Sequence, residues 1–239
     1  MEINWNTDRL IVLYYPQGAS GKFLHGCVAL STQVEFQHKE LLDRFNSVEE
    51  KFKHFKNLLS PPDGSPPKFD FGLGCSELLD LSAEHPDYNT EMPNYPDSRV
   101  AKVKEQLSTS STLWSLTNRN NYFFLVVHDP AHLLLYKKLW PCARILQIIN
   151  STRWITHRKF KLSQRLPPHL FDMVSLIPDQ YIDTLMSFDA NSFFNKKMFV
   201  KQIENIYKKL ELTNDFDQSY IETLFDLYTV SIDSKIKHQ

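Results

Sequence analysis

The sequence has few cysteines, no excess of either charge and no long apolar run, and each absence excludes a class of protein. Its three cysteines, Cys27, Cys75 and Cys142, lie far apart without a CxxC pair or a Cys/His ligand spacing, so they indicate neither a disulfide framework nor a zinc site. The 27 basic and 28 acidic residues leave a net charge of −1, which gives no general attraction to nucleic acid or to an anionic membrane. Any anion-binding site must therefore be local.

Membrane and secretion signals are also missing from the sequence. No apolar segment approaches the roughly 20 residues that a helix needs to cross a bilayer. Polar and charged residues such as Glu2 and Asp8 precede the first apolar run, unlike the basic-then-apolar start of a signal peptide. We therefore expect a cytoplasmic protein that has neither nucleic acid nor a membrane as a partner.

Buried strands and helices alternate along the chain. Residues 10–15 form a continuous apolar run, which is typical of a parallel strand covered on both faces. Residues 122–129, a mostly apolar segment that ends in polar residues, and 144–150 predict a second and a third buried strand. Helical patterns follow each of these segments, and Ser151 is a suitable N-cap for the helix after the third. Strands that alternate with helices predict an α/β fold, a three-layer sandwich with a central parallel sheet. We expect one domain over residues 1–239, with variable loops around 60–98 and 162–180.

Apolar positions recur every three to five residues from Phe36 to Leu59, with charges between them. This spacing predicts an amphipathic helix with a break near Asn46. The same reasoning predicts a short helix around 99–107, and the last third of the chain predicts a short strand followed by two helices, over about 195–210 and 217–236.

Residues 13–24, LYYPQGASGKFL, match part of a phosphate-binding loop between a strand and a helix. A Walker A motif has the pattern GxxxxGK followed by serine or threonine, whose hydroxyl binds Mg²⁺. Gly21 and Lys22 match this pattern, but Pro16 stands in place of the first glycine and Phe23 in place of the hydroxyl residue. Phenylalanine cannot bind magnesium, whereas the anion-binding parts are present: backbone N–H groups, a lysine and a helix N-terminus. The loop predicts an anionic ligand whose transfer needs no bound metal.

This order of segments resembles the sulfotransferases that use 3'-phosphoadenosine 5'-phosphosulfate (PAPS). In that family a Pro/Gly/Ser loop after the first strand wraps the 5'-phosphosulfate, as YYPQGASGKFL would here. A family strand that ends in a catalytic histidine, then a short helix and a strand that begins the 3'-phosphate site, is similar to FFLVVHDPAHLLLYKKLWPCARILQIINSTRWITHRK. The segment FDANSFFNKKMFVKQIENIYKKLEL resembles the C-terminal strand-turn-helix of small bacterial and phage-type members.

The chain departs from the family pattern near the nucleotide. Asn150 stands where the family has an arginine, and the C-terminal glycine-rich loop has no counterpart, because no glycine follows Gly74. Arg153 and Arg158 come within the next two helical turns and could supply the missing guanidinium, which matches phosphate oxygens bidentately. Ser151 could add its hydroxyl.

The resemblance implies a P-loop-like fold, PAPS as cofactor, no metal, and a small-molecule or glycan acceptor. It implies Lys22, His128 and Asp129 as catalytic residues: Lys22 neutralises charge on the transferred group, and His128 takes the acceptor's proton, since its reference pKa near 6.5 suits a base at neutral pH. Asp129 orients or replaces His128. The cofactor-binding residues that it implies are Gly18, Ala19, Ser20, Gly21, Lys22, Phe23, Ser151, Arg153 and Arg158.

Three alternatives stay open at this point. His128 could be a structural residue at a strand end, and the arginines could form a solvated helix face. The chain could be a kinase or NTPase with an altered loop, which predicts magnesium dependence and which Phe23 disfavours. It could also be a non-catalytic descendant of the fold that binds a nucleotide or another anion.

Overall fold

The protein is described from a computed structural model over residues 2–15, 21–38, 41–43, 45–65, 73–74, 97–127, 130–149 and 185–237. Its strands are β1 (Leu10–Tyr14), β2 (Phe36–His38), β3 (Leu41–Asp43), β4 (Leu73–Gly74), β5 (Phe123–Val127), β6 (Arg144–Ile149) and β7 (Leu185–Asp189). Its helices are α1 (Gly21–Val28), α2 (Val48–Leu59), α3 (Asp97–Leu107), α4 (Ser111–Thr117), α5 (Pro130–Leu139), α6 (Lys196–Lys209) and α7 (Gln218–Lys237), with 3-10 turns at Ala190–Phe194 and Thr213–Asp215.

The central sheet is parallel and has the strand order β4-β5-β1-β6-β7. Four strands have five or six residues, and β4 is a two-residue strand at one edge. The first strand of the chain thus lies at the centre, between β5 and β6. The predicted α/β class with a parallel sheet is confirmed.

Helices cover both faces of this sheet. Alternate side chains such as Leu13 and Phe124 point to one face and pack with α1, α2, α6 and α7. Their neighbours, such as Val12 and Leu125, pack on the opposite face with α3, α4 and α5. Burial on both faces explains why these strands read as continuous apolar runs.

The amphipathic helix predicted from Phe36 to Leu59 is wrong in its first half. β2 and β3 form an antiparallel pair there, and α2 begins only at Val48. The hydroxyl of Ser47 accepts a hydrogen bond from the Glu50 N–H at 3.1 Å, and the Glu50 carboxylate accepts one from the Asn46 N–H at 2.8 Å. These reciprocal bonds fix the helix start near the break expected at Asn46.

The other helices agree with the sequence pattern to within a few residues. The helices expected around 99–107, 195–210 and 217–236 are α3, α6 and α7, and the short strand before them is β7. No helix in the described part of the chain is both long and apolar enough to span a bilayer.

The helices α1 and α6 lie side by side and run in the same direction. Near their first turns the rings of Phe23 and Phe199 have centroids 5.3 Å apart. Near their ends the Tyr207 hydroxyl donates a hydrogen bond to the Cys27 carbonyl oxygen at 3.0 Å. Burial raises the pKa of that hydroxyl far above its ordinary value, so it stays a donor.

Candidate functional site

The loop of residues 16–20 is outside the described residues, but both elements that it joins are described. β1 ends at Tyr14, and α1 begins at Gly21. The Tyr15 N–H donates a hydrogen bond to the Val127 carbonyl oxygen at 3.1 Å, so the chain leaves the sheet beside the end of β5.

The strand order makes this position the switch point of the sheet. After β1 the chain forms β4 and β5 on one side, and it then crosses to form β6 and β7 on the other side. In open α/β sheets, ligands bind at the carboxyl ends of the strands where the order switches in this way. The loop between β1 and α1 lies at that point.

Gly21 allows the first turn of α1 to pack directly on a buried ring. A Cβ atom at this position would lie 2.1 Å from Cε1 of Tyr15, much closer than atoms can approach. Tyr15 is 3% exposed, and burial raises the pKa of its hydroxyl above the ordinary value. The motif glycine is therefore required for close packing between the strand and the helix.

Lys22 is the exception on an otherwise buried helix. Within α1, which is described throughout, every other residue is buried. A lysine in the first turn is unfavourable for the helix itself, because the N-terminal end of the helix dipole is already positive. The partly exposed lysine and the helix N-terminus therefore add their positive potentials at the carboxyl end of β1, which is the arrangement that binds anions.

Phe23 lies in the core rather than at the surface of the loop. Its side chain is 1% exposed, and its ring stacks on Tyr228 with centroids 3.9 Å apart and an angle of 2° between the ring planes. Phe23 occupies the motif position of the magnesium-binding hydroxyl, and its side chain is packed in the core. Only the backbone N–H of Phe23 is suited to binding a ligand.

His25, which the sequence analysis passed over, is also buried in α1, at 1% exposure. Its ring lies 4.5 Å from that of Phe124, and neither ring nitrogen has a hydrogen-bond partner among the described residues. Burial, with the nearby charges of Lys51 and Lys22, lowers its pKa to about 3. His25 is therefore neutral at physiological pH and adds no charge to the site.

A buried polar network lies at the opposite, amino edge of the sheet. The Lys51 ammonium donates hydrogen bonds to the carbonyl oxygens of Ser31 and Val34, the latter at 2.5 Å. The Ser31 hydroxyl and the Thr32 N–H and hydroxyl each donate to one Asp215 oxygen at 2.7 Å. Since α1 separates this network from the loop of residues 16–20, we interpret it as structural.

The remaining predicted site residues lie outside the described residues: Gly18, Ala19, Ser20, His128, Asp129, Ser151, Arg153 and Arg158. The structure does describe the residue directly before the pair His128 and Asp129, and the residue directly before the segment that begins at residue 150. His128 is bonded to Val127 at the end of β5, and residue 150 is bonded to Ile149 at the end of β6. These two strands flank β1, so both groups follow strand ends on either side of the loop.

Among the described residues, no group of three or more His, Cys, Asp and Glu side chains is arranged to hold a metal ion. Comparisons of the chain with protein-family models, with curated proteins and with solved structures found no match. Any function must therefore be inferred from the fold and from the site itself.

Proposed function

We propose that the chain binds PAPS at the loop between β1 and α1 and transfers its sulfuryl group to a hydroxyl or amine acceptor. One observation carries the proposal: Lys22 is the only residue of α1 that is not fully buried, and it lies in the first turn of that helix at the switch point of the sheet. The ligand of such a position is an anion.

The buried Phe23 favours sulfuryl transfer over magnesium-dependent phosphoryl transfer. A kinase or NTPase needs a side chain at this position that binds Mg²⁺, whereas the Phe23 ring packs between α6 and α7. A 5'-phosphosulfate presents oxygens that backbone N–H groups and a lysine can neutralise without a metal. The described residues Gly21 to Phe23, at the start of α1, suit that group.

The chemistry that this site must provide is positioning and charge stabilisation. Sulfuryl transfer forms a bond from sulfur to the acceptor oxygen or nitrogen as the bond from sulfur to the phosphate oxygen breaks. Lys22 and the loop N–H groups stabilise the negative charge left on the phosphate oxygen. His128, attached to the end of β5, takes the acceptor's proton, and Asp129 orients it.

In this proposal the segment after β6 binds the second anionic group of the cofactor, the 3'-phosphate. Ser151, Arg153 and Arg158 follow Ile149, the last residue of that strand, and supply a hydroxyl and two guanidinium groups for the 3'-phosphate. Because β6 and β5 flank β1, the nucleotide spans the carboxyl edge of three strands.

Calorimetric titration with 3'-phosphoadenosine 5'-phosphate in the absence of divalent metal tests the proposal. We expect binding to the native chain, loss of binding in Lys22→Ala, and native affinity in Lys102→Ala, which removes an exposed lysine from the opposite face of the sheet. Binding of ATP only in the presence of Mg²⁺ would instead favour a kinase. Binding of neither nucleotide would overturn the nucleotide assignment.

A further inference from the structure

The imidazole of His25 is enclosed in the core without a hydrogen-bond partner among the described residues. Its side chain is 1% exposed, and its ring centroid lies 4.5 Å from that of Phe124 in β5. A neutral imidazole has one N–H donor and one acceptor nitrogen, and both are unpaired here. Leaving such groups unpaired costs free energy that an apolar side chain would not cost. The property that distinguishes His25 from an apolar residue is therefore its ability to bind a proton.

The helix that carries His25 packs closely against its neighbours on both sides of this residue. Gly21, one turn earlier, packs on the Tyr15 ring, and Gly26, the next residue, packs on the Phe55 ring of α2. A Cβ atom at either glycine would overlap the ring that faces it. Since α1 is held by these two contacts, solvent can reach the imidazole only if the helix moves away from the sheet and from α2.

The charged groups that act on His25 are cations. Burial is the main cause that lowers its pKa to about 3, and the charges of Lys51 in α2 and Lys22 in α1 lower it further. Burial also raises the pKa of the Tyr15 hydroxyl and of the Cys27 thiol, so both stay protonated and supply no negative charge. The residue that β5 presents to the imidazole is an uncharged phenylalanine ring. The packed core therefore has no anion, among the described groups that act on this ring, to stabilise an imidazolium.

We propose that His25 is an acid-sensitive switch: α1 stays packed on the sheet only while the imidazole is neutral, and protonation releases the helix together with the anion site at its N-terminus. The site is lost with the helix because Gly21 and Lys22 belong to the first turn of α1. The release of an anion in acid rests on the proposed function, whereas the effect of His25 on stability does not.

Urea denaturation of the native chain and of His25→Leu at a series of pH values tests the switch. Between the pKa of about 3 in the folded chain and the ordinary value of 6.5, the unfolded chain binds more protons, so the native chain loses stability as the pH falls. From pH 6 to pH 4 the folding equilibrium constant of the native chain should fall about 50–100-fold relative to that of His25→Leu. His25→Gln, which is polar but does not ionise, should follow the pH profile of His25→Leu.

A role of His25 in packing alone predicts a different result, because the two folding constants would then differ by the same factor at every pH. Parallel profiles would overturn the switch. Proton NMR of the native chain gives a check that needs no variant: the ring signal of His25 should keep its neutral chemical shift in the folded chain from pH 7 down to about pH 5. Titration of this signal near its ordinary pKa in the folded chain would also overturn the switch.

Calorimetric titration with 3'-phosphoadenosine 5'-phosphate separates this inference from the proposed function. At a pH where denaturation shows that the native chain has opened and His25→Leu is still folded, only the variant should bind the nucleotide. Equal binding by both proteins at that pH would refute the link between His25 and the site. If the native chain binds no nucleotide at pH 7, the proposed function fails, and the denaturation profiles still decide whether His25 is a switch.

Discussion

At the scale of the residue, each side chain near the loop is fixed by a contact that the sequence shows only in part. The glycine-lysine pair could be predicted because the motif is contiguous and lies between a strand and a helix. The structural requirement for glycine at position 21 could not be predicted, because the Tyr15 ring occupies the space of a Cβ atom only once the strand and the helix have packed together. The same holds for Lys51, whose carbonyl partners precede it by 17 and 20 residues.

Gly21→Ala should destabilise the chain by about 1–3 kcal/mol, since the added methyl group forces the Tyr15 ring or α1 to move. Urea denaturation measures the free energy of unfolding. The double variant Gly21→Ala/Tyr15→Leu should lose less free energy of unfolding than the two single variants lose in sum, because leucine at position 15 leaves room for the added methyl group. Additive losses would contradict this account.

Lys51 should raise the free energy of unfolding of the protein as the pH becomes alkaline. Burial lowers its pKa from 10.5 to about 8 in the folded state, although the charges of Glu35 and Asp215 oppose the shift. Between these values the unfolded chain binds more protons than the folded chain, so this group raises the free energy of unfolding as pH increases. The full effect is about 3 kcal/mol.

Lys51→Met removes this titration. Urea denaturation of both proteins from pH 7 to pH 10.5 should show that the native chain gains stability relative to the variant across the upper part of that range. The difference between the two proteins cancels the contributions of other groups that titrate there, such as Cys27. A constant difference would contradict the lowered pKa.

At the scale of the element, packing partners decide which patterns become helices and strands. Mostly apolar runs predicted β1, β5 and β6, because β1 and β5 are buried throughout and β6 is buried at its four central residues. The pair β2 and β3 was missed because three-residue strands are too short to show an alternating period. The two-residue strand β4 follows a proline-rich stretch and is defined only by its pairing with β5.

The stack between Phe23 and Tyr228 joins two elements at the site. Tyr228→Ala should destabilise the chain by about 3 kcal/mol, because it leaves a cavity beside a buried ring. It should also weaken nucleotide binding, since α7 no longer supports the first turn of α1. Tyr228→Phe keeps the ring and serves as the control in thermal denaturation and calorimetry. Unchanged binding in the alanine variant would argue against support of the site by α7.

At the scale of the whole molecule, the site depends on a strand order that the sequence did not predict. The alternating pattern indicates a parallel sheet but does not say which strands are neighbours, because each crossover can return on either side. The observed order places the segments that begin at His128 and at residue 150 after the two strands that flank β1. The loop itself could be predicted from the sequence, whereas the identity of the segments beside it could be known only from the strand order of the fold.

Asp215 connects the C-terminal helices to the turn after α1 and should make the fold sensitive to acid. Burial alone would raise its pKa, but the hydrogen bonds from Ser31 and Thr32 outweigh burial and hold the pKa below 3.8. The stabilisation from the carboxylate is therefore present above that value and is lost as pH falls through the lower pKa of the folded state. Asp215→Asn should cost about 1 kcal/mol at pH 7.

Denaturation of the native chain and of Asp215→Asn at a series of acidic pH values measures this contribution. The difference in free energy of unfolding between them should shrink as the carboxylate of the native chain becomes protonated. Glu211→Gln, which changes an exposed carboxylate four residues earlier, is the control and should differ little from the native chain. A difference independent of pH would show that the charge of Asp215 does not matter.

The central position of β1 has a consequence for synthesis of the chain on the ribosome. Leu10 pairs with Phe123, more than a hundred residues later, and Ile11 pairs with Arg144. The ribosome adds about 5–20 residues per second, so roughly 5–25 s pass between the synthesis of β1 and the synthesis of its first partner strand, β5. During that time a nascent chain exposes the strand to aggregation, so we expect it to need a chaperone until β5 emerges.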